Sequence, residues 1–263
     1  MKCYKLTARL SHITFRFLKR LTNFLDTLFS GFWLGIMSEK SLEFSDELFY
    51  NNNSNYTDEK YNLSGLFGWE KVMVEKYFSK AKNILLIAAG GGREVIALGK
   101  MGFLIDSYEC NMKLVEYGNA LLRKNNLDYT INYLPRNTVP GDVKKYDGII
   151  VGWGAYSLIH GNKRRISLLN GLSPFLGQDT PLMISFLWMD KKDRKDNRIQ
   201  KVANFFRILS RKEKTEPGDR LVPDFIHYFT EEEIKSELEQ SKLRIEDFYT
   251  ADYGCLVAYK IDT

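Results

Sequence analysis

The fold turns on Ile84-Leu85-Leu86-Ile87-Ala88-Ala89-Gly90-Gly91-Gly92-Arg93-Glu94. An apolar run without alternation reads as a strand buried on both faces, and here it feeds glycines and then a helix from Glu94. Glycines let the backbone turn tightly and approach a ligand, and a helix N-terminus leaves N–H groups free beside it. The same residues also serve a plain strand-to-helix turn. What separates the two readings is Glu109, which ends the next strand 19 positions after Gly90. An acid at about that spacing accepts hydrogen bonds from the ribose hydroxyls of an adenosine ligand. The dinucleotide pattern G-x-G-x-x-G/A is not met, because its third small residue falls on Val95, and no P-loop occurs.

Working outward, short apolar runs alternate with helical spacing. Strands are expected over residues 84–89, 104–109, 130–134, 148–151 and 181–188, with helices over 94–101, 112–125, 163–176 and 230–241. Two further strands, 244–250 and 254–261, are joined by a short turn and close the chain as an antiparallel hairpin. The expected fold is α/β: a doubly wound, mostly parallel seven-stranded sheet with an antiparallel C-terminal hairpin and an N-terminal helical extension. The extension covers residues 1–68, with one or two amphipathic helices over 6–36 and then a short helix and an irregular aromatic-bearing segment. Residues 69–263 form the sheet domain, carrying a charged insertion at about 189–220.

The chain has 263 residues, 44% hydrophobic and 27% charged, which excludes a disordered or collagenous protein. Three scattered cysteines give neither a disulfide framework nor a cysteine zinc site, and point to a cytoplasmic home. The net charge of +5 resides entirely in residues 1–37, where Lys2, Lys5, Arg9, Arg16, Lys19 and Arg20 face one acid, Asp26. The insertion is basic, and the helix around Glu231 to Glu239 is acidic. Charges interrupt the N-terminal apolar stretch, so no transmembrane span is expected.

From about Trp69 to Ile261 the chain resembles the class I S-adenosylmethionine (SAM)-dependent methyltransferases. The resemblance rests on the glycine loop, the strand-ending Glu109, the Tyr146 to Val151 strand, the helix ending in Leu172 to Leu176, the Pro181 to Phe186 strand and the final hairpin. The order of elements is its specific part. The chain departs from the family pattern at Leu86 and Ala88, where an acid and a glycine are usual. The resemblance implies SAM as cofactor, with Ala88, Ala89, Gly90, Gly91 and Gly92 forming its loop. It places Glu109, with Cys110 and Asn111, at the ribose, Arg136 and Asn137 beside the adenine, and Gly152 and Trp153 near the methionine end.

His160 and His227 are the candidate general bases; each also reads as a capping, surface or packing histidine. Tyr61, Trp69 and Tyr156 are candidate walls of an acceptor pocket, together with Tyr56 and Phe67, and ordinary aromatic packing is the alternative. No His-carboxylate cluster shows ligand spacing, so no metal is expected. The function expected is methyl transfer to a small molecule or modified peptide. An RNA methyltransferase is the runner-up, favoured by the basic segments. Against it, Gly152-Trp153-Gly154-Ala155-Tyr156 lacks the Asn/Asp-Pro-Pro-Tyr/Phe signature of amino-methylating nucleic-acid enzymes, so a nucleic-acid partner is not expected. A catalytically idle SAM-fold scaffold or membrane-surface module remains a third reading. The basic N-terminal segment is open to three roles: a lid over the substrate cleft, a homodimer contact, or a peripheral contact with anionic lipid.

Overall fold

The computed structural model describes residues 3–190, 197–251 and 253–261. At its centre β1 (Asn83–Ile87) lies in parallel register between β2 (Leu104–Glu109) and β4 (Gly148–Val151). β3 (Ile131–Tyr133) pairs outside β2, and β5 (Leu182–Phe186) outside β4, both parallel. β9 (Gly254–Lys260) runs antiparallel to β5, and β8 (Leu243–Tyr249) antiparallel to β9. The order β3-β2-β1-β4-β5-β9-β8 is the expected seven-stranded sheet with its closing hairpin. Strand order reverses between β1 and β4, and in open α/β sheets the crevice at the carboxyl ends of such strands is where ligands bind.

β1 is buried on both faces because its side chains feed two cores. Leu85 and Ile87 pack with α7 (Asn162–Leu172) and α9 (Glu231–Gln240). Ile84 and Leu86 pack with α4 (Gly68–Tyr77), α5 (Arg93–Lys100) and α6 (Met112–Lys124). The helix expected over 163–176 stops early, and Pro174 sits in a 3-10 turn at Ser173–Phe175, since proline cannot donate to a continuing helix.

The N-terminal segment is more ordered than its composition implied. A single helix, α1 (Cys3–Ile36), is followed at Ser38 by α2 (Glu39–Asn52), whose cap is the Ser38 hydroxyl accepting the Ser41 N–H. A 3-10 turn (Ser54–Thr57) and α3 (Glu59–Asn62) continue to α4. The insertion contributes α8 (Arg198–Leu209), and the Pro217-Gly218 turn leads into β6 (Asp219–Leu221), paired with β7 (Phe225–His227) in a small separate sheet. Residues 191–196 of the insertion lie outside the described residues. A third apolar cluster, Leu34, Leu42, Ala203, Leu221 and Phe225, joins the end of α1, α2, α8 and this small sheet.

Candidate functional site

The chain leaves β1 through a sharply turned loop, with positive φ at Ala88 (61°), Gly90 (54°) and Gly92 (100°). The left-handed region costs an alanine energy that glycine is spared. The turn brings the Gly90 N–H to within 2.9 Å of Glu109 Oε2, while the Asn111 N–H donates to Glu109 Oε1 at 2.8 Å. Both oxygens of this carboxylate are thereby oriented at the end of β2. Each retains accepting capacity, because a carboxylate offers about four lone-pair sites.

Above this point opens a cleft. Ala88, Gly90, Glu109, Cys110, Asn111, Arg136, Asn137 and Trp153 line it, so eight of the predicted cofactor residues converge there. Leu134 and Pro135 supply apolar wall. Ala89, Gly91, Gly92 and Gly152 support the cleft from behind. The Ala89 N–H donates to the Tyr108 carbonyl, and a Cβ on Gly152 would strike the Ala88 carbonyl oxygen. Burial, then the charge of Glu109, pushes the Cys110 thiol up to about 12, so it stays protonated.

The N-terminal segment forms the roof. Tyr50 and Tyr56 line the cleft, and Asn111 Nδ2 donates to Asn51 Oδ1 at 3.0 Å. A Cβ on Gly91 would strike the Tyr56 carbonyl oxygen, so the roof sits directly on the glycine loop. Asp46 of α2 is completely buried and accepts from Arg136 Nη1 at 2.8 Å and the Phe225 N–H at 2.9 Å. His160 Nε2 lies 3.3 Å from the same carboxylate, with its ring against Phe225. His160 borders a neighbouring cavity with Glu39 and Arg164, not the cleft itself. Asp224 is also buried here, and burial followed by the charge of Asp46 raises its carboxyl to about 6. Burial raises Tyr50 well above the ordinary phenol value and Tyr56 to about 12.

A second, aromatic chamber adjoins the cleft, walled by Tyr61, Phe67, Trp69 and Tyr253, and sharing Tyr56 and Trp153 with it. Trp153 Nε1 is buried there without a hydrogen-bond partner. Beneath the chamber Arg93 pairs with both Glu70 oxygens (2.6 and 2.7 Å) and with Glu94 (2.8 Å), and its guanidinium lies 3.9 Å from the Phe67 ring centroid. Glu94 also accepts the Trp153 N–H at 3.3 Å. Leu86, where the family usually has an acid, is wholly inside the core, whereas Glu94 brings a carboxylate to the Trp153 backbone.

Tyr156 is not part of either chamber. It is fully buried, stacks on Phe229 and donates to Glu237 Oε2 at 2.7 Å. His227 is fully buried too, with Nδ1 2.7 Å from Asp219 Oδ1 and Nε2 3.7 Å from Glu233. Burial alone would lower its pKa, but the Asp219 and Glu233 carboxylates outweigh it and the net shift is upward. Glu216, Asp219 and His227 place ligand-type atoms within 4.8 Å of one another, a grouping their sequence spacing hides. Arg165 pairs with Glu216 at 2.7 Å and with Glu237 at 2.6 Å, so a guanidinium neutralises this acidic pocket.

Residues that sequence reading missed are Asp46, Tyr50, Asp224, Tyr253 and the Glu70–Arg93–Glu94 cluster. Only the last left a trace, a charged pair directly after the glycines where the helix start is buried.

The sequence matches no protein-family model and none of the curated proteins. In structure the chain is similar to a SAM-dependent methyltransferase from Methanosarcina mazei, with 16% identity over 76% of this chain and 100% of that one, at a TM-score of 0.56. It is similar to the PH0226 protein of Pyrococcus horikoshii OT3 at 12% identity, covering 82% and 99% of the two chains, TM-score 0.58. The SAM-bound amino pentose methyltransferase CalS10 of Micromonospora echinaspora matches at 10% identity over 83% and 96%, TM-score 0.53. At these identities the likeness defines the fold, and the fold is the Rossmann-like class I fold of SAM-dependent methyltransferases.

Proposed function

We propose that the chain is a SAM-dependent methyltransferase acting on a small molecule or a modified peptide. The observation that carries this reading is the Glu109 carboxylate, fixed by the Gly90 and Asn111 N–H groups at the base of a cleft with apolar walls. These residues fit an adenosine: Glu109 to accept from the ribose hydroxyls, Leu134 to Asn137 for the adenine, and Trp153 near the methionine end. Relatives in fold act on such acceptors; CalS10 is an amino pentose methyltransferase and MtfA a glycopeptide N-methyltransferase (11% identity, TM-score 0.50).

SAM supplies a methyl group already activated by its sulfonium. The residues of the chain have to hold an acceptor atom in line with it and, for a protonated acceptor, take the proton. Tyr56 and Trp153 stand between the cleft and the aromatic chamber, so the acceptor enters from the chamber and meets the methyl at that shared wall. Neither candidate histidine lines the cleft or the chamber: His160 borders the neighbouring cavity, and His227 is enclosed by carboxylates. The segment from α2 through the 3-10 turn, residues 39–57, acts as the lid through Tyr50 and Tyr56. Irradiating the protein with methyl-tritiated SAM tests the assignment. Label is expected on peptides carrying residues 88–94, 134–138 or Trp153, and label confined elsewhere overturns it.

A further inference from the structure

Every residue of α1 from Tyr4 to Asp26 is exposed, although this arm carries large apolar side chains throughout; Phe15 and Phe17 are 65% and 64% exposed. Only the last turns of α1 are packed, where Ser30, Gly31, Leu34 and Gly35 are buried. At about 1.5 Å per residue this exposed part extends roughly 35 Å. Large contiguous apolar surface on a folded chain marks a site of contact.

The charge distribution identifies the partner. At 100° per residue, Lys5, Arg9, Arg16 and Arg20 share one side of the helix, and Leu18, Leu25, Phe29 and Phe32 share the opposite side. The acid of this segment is Asp26 alone. Two copies of such a helix would bring like charges together without the acidic flanking positions that pair coiled coils, and the apolar sector is broader than an a/d seam. A helix with a basic polar face and a Phe/Leu/Trp apolar face instead matches an anionic interface, into which the apolar face sinks while Lys and Arg meet headgroups. No described helix is long and apolar enough to cross a membrane, so α1 is suited to lie along one.

The surface continues onto the insertion. Phe32 packs edge-on against Phe206 of α8, which contacts Phe205, and Phe205, Ile208 and Leu209 are exposed. We propose that α1 and the adjoining face of α8 form a docking surface for anionic phospholipid bilayers, holding the methyltransferase-fold domain at the membrane surface.

Co-sedimentation of the full chain with phosphatidylglycerol/phosphatidylcholine vesicles and with phosphatidylcholine vesicles tests this. Binding is expected to the anionic vesicles, weakening as salt is raised. The triple change Arg16→Gln, Lys19→Gln, Arg20→Gln is expected to weaken it on the order of 100-fold. Leu21→Asp with Leu28→Asp should abolish it, and all five side chains are exposed, so an unchanged melting temperature checks the fold. Failure of the full chain to bind anionic vesicles overturns the proposal, as does equal binding by the variants. A lipid-free dimer in light scattering that Leu21→Asp with Leu28→Asp dissociates, without any vesicle binding, would assign the face to a second copy instead.

Discussion

Glu109 accepts two backbone N–H groups and still lines the cleft, so it shapes the glycine loop and, in the proposed function, meets the ribose. Charged hydrogen bonds of this kind are worth about 1.5–3 kcal/mol. Glu109→Ala is expected to weaken S-adenosylhomocysteine binding roughly 10- to 100-fold, read by calorimetry. Ala88 holds the left-handed conformation at a position where the family has glycine. Ala88→Gly relieves a strain of about 1–2 kcal/mol and returns some of it as unfolded-chain entropy. The expected net stabilisation is up to about 1 kcal/mol in urea denaturation. At the roof, Asp224 has its carboxyl raised to about 6 by burial and by Asp46. A carboxyl raised on folding takes up a proton, so its contribution to stability falls as pH rises from about 4 through about 6. Asp224→Asn should flatten that part of the stability profile and raise the melting temperature at pH 8 by roughly 2–4 °C.

Among the elements, the start of α5 is held by an ion cluster and not by packing alone. Arg93 reaches Glu70 of α4, Glu94 and the Gly65 carbonyl while almost wholly buried. Removing one partner of a buried pair costs about 3–5 kcal/mol. Arg93→Met should destabilise the protein by that amount in denaturant titration, and loosen Trp153 through Glu94. The docking of α1 on α8 is equally specific. A Cβ on Gly31 would approach Val202 Cβ to 2.6 Å, and one on Gly35 would approach Phe206 Cβ to 2.8 Å. The seven strands were legible because each is a short run bounded by turn residues, and Glu109 because its spacing from Gly90 reports one strand-helix-strand unit. The short helix expected after residue 36 is α2, but its burial, α8 and the β6–β7 pair were not legible. Their order comes from tertiary contacts: Asp46 is buried because Arg136 and the Phe225 N–H meet it, residues 90 and 179 positions away. Tyr156 misled for the converse reason. It follows the right strand, but its hydroxyl is turned into the core toward Glu237.

For the molecule as a whole, the titrating groups point to a mildly acidic stability optimum. His227 is raised by its carboxylate partners, so its stabilisation is full below about 6.5 and is lost as pH rises through its folded value. Asp147, held by the Asn83 and Lys82 N–H groups, and Asp247, held by Lys76, are lowered. Their contribution is present above about 4 and lost as pH falls further. With the Asp224 effect, stability should peak near pH 5, which denaturant titration between pH 3 and pH 8 checks. The charge excess belongs to residues 1–37, none of which lines the cleft or the aromatic chamber. Calorimetry with SAM and S-adenosylhomocysteine tests the cleft as a SAM site most directly. One site per chain is expected for either ligand, weakened by Glu109→Ala. No heat of binding from either ligand at high micromolar concentration, with the fold intact, would contradict it.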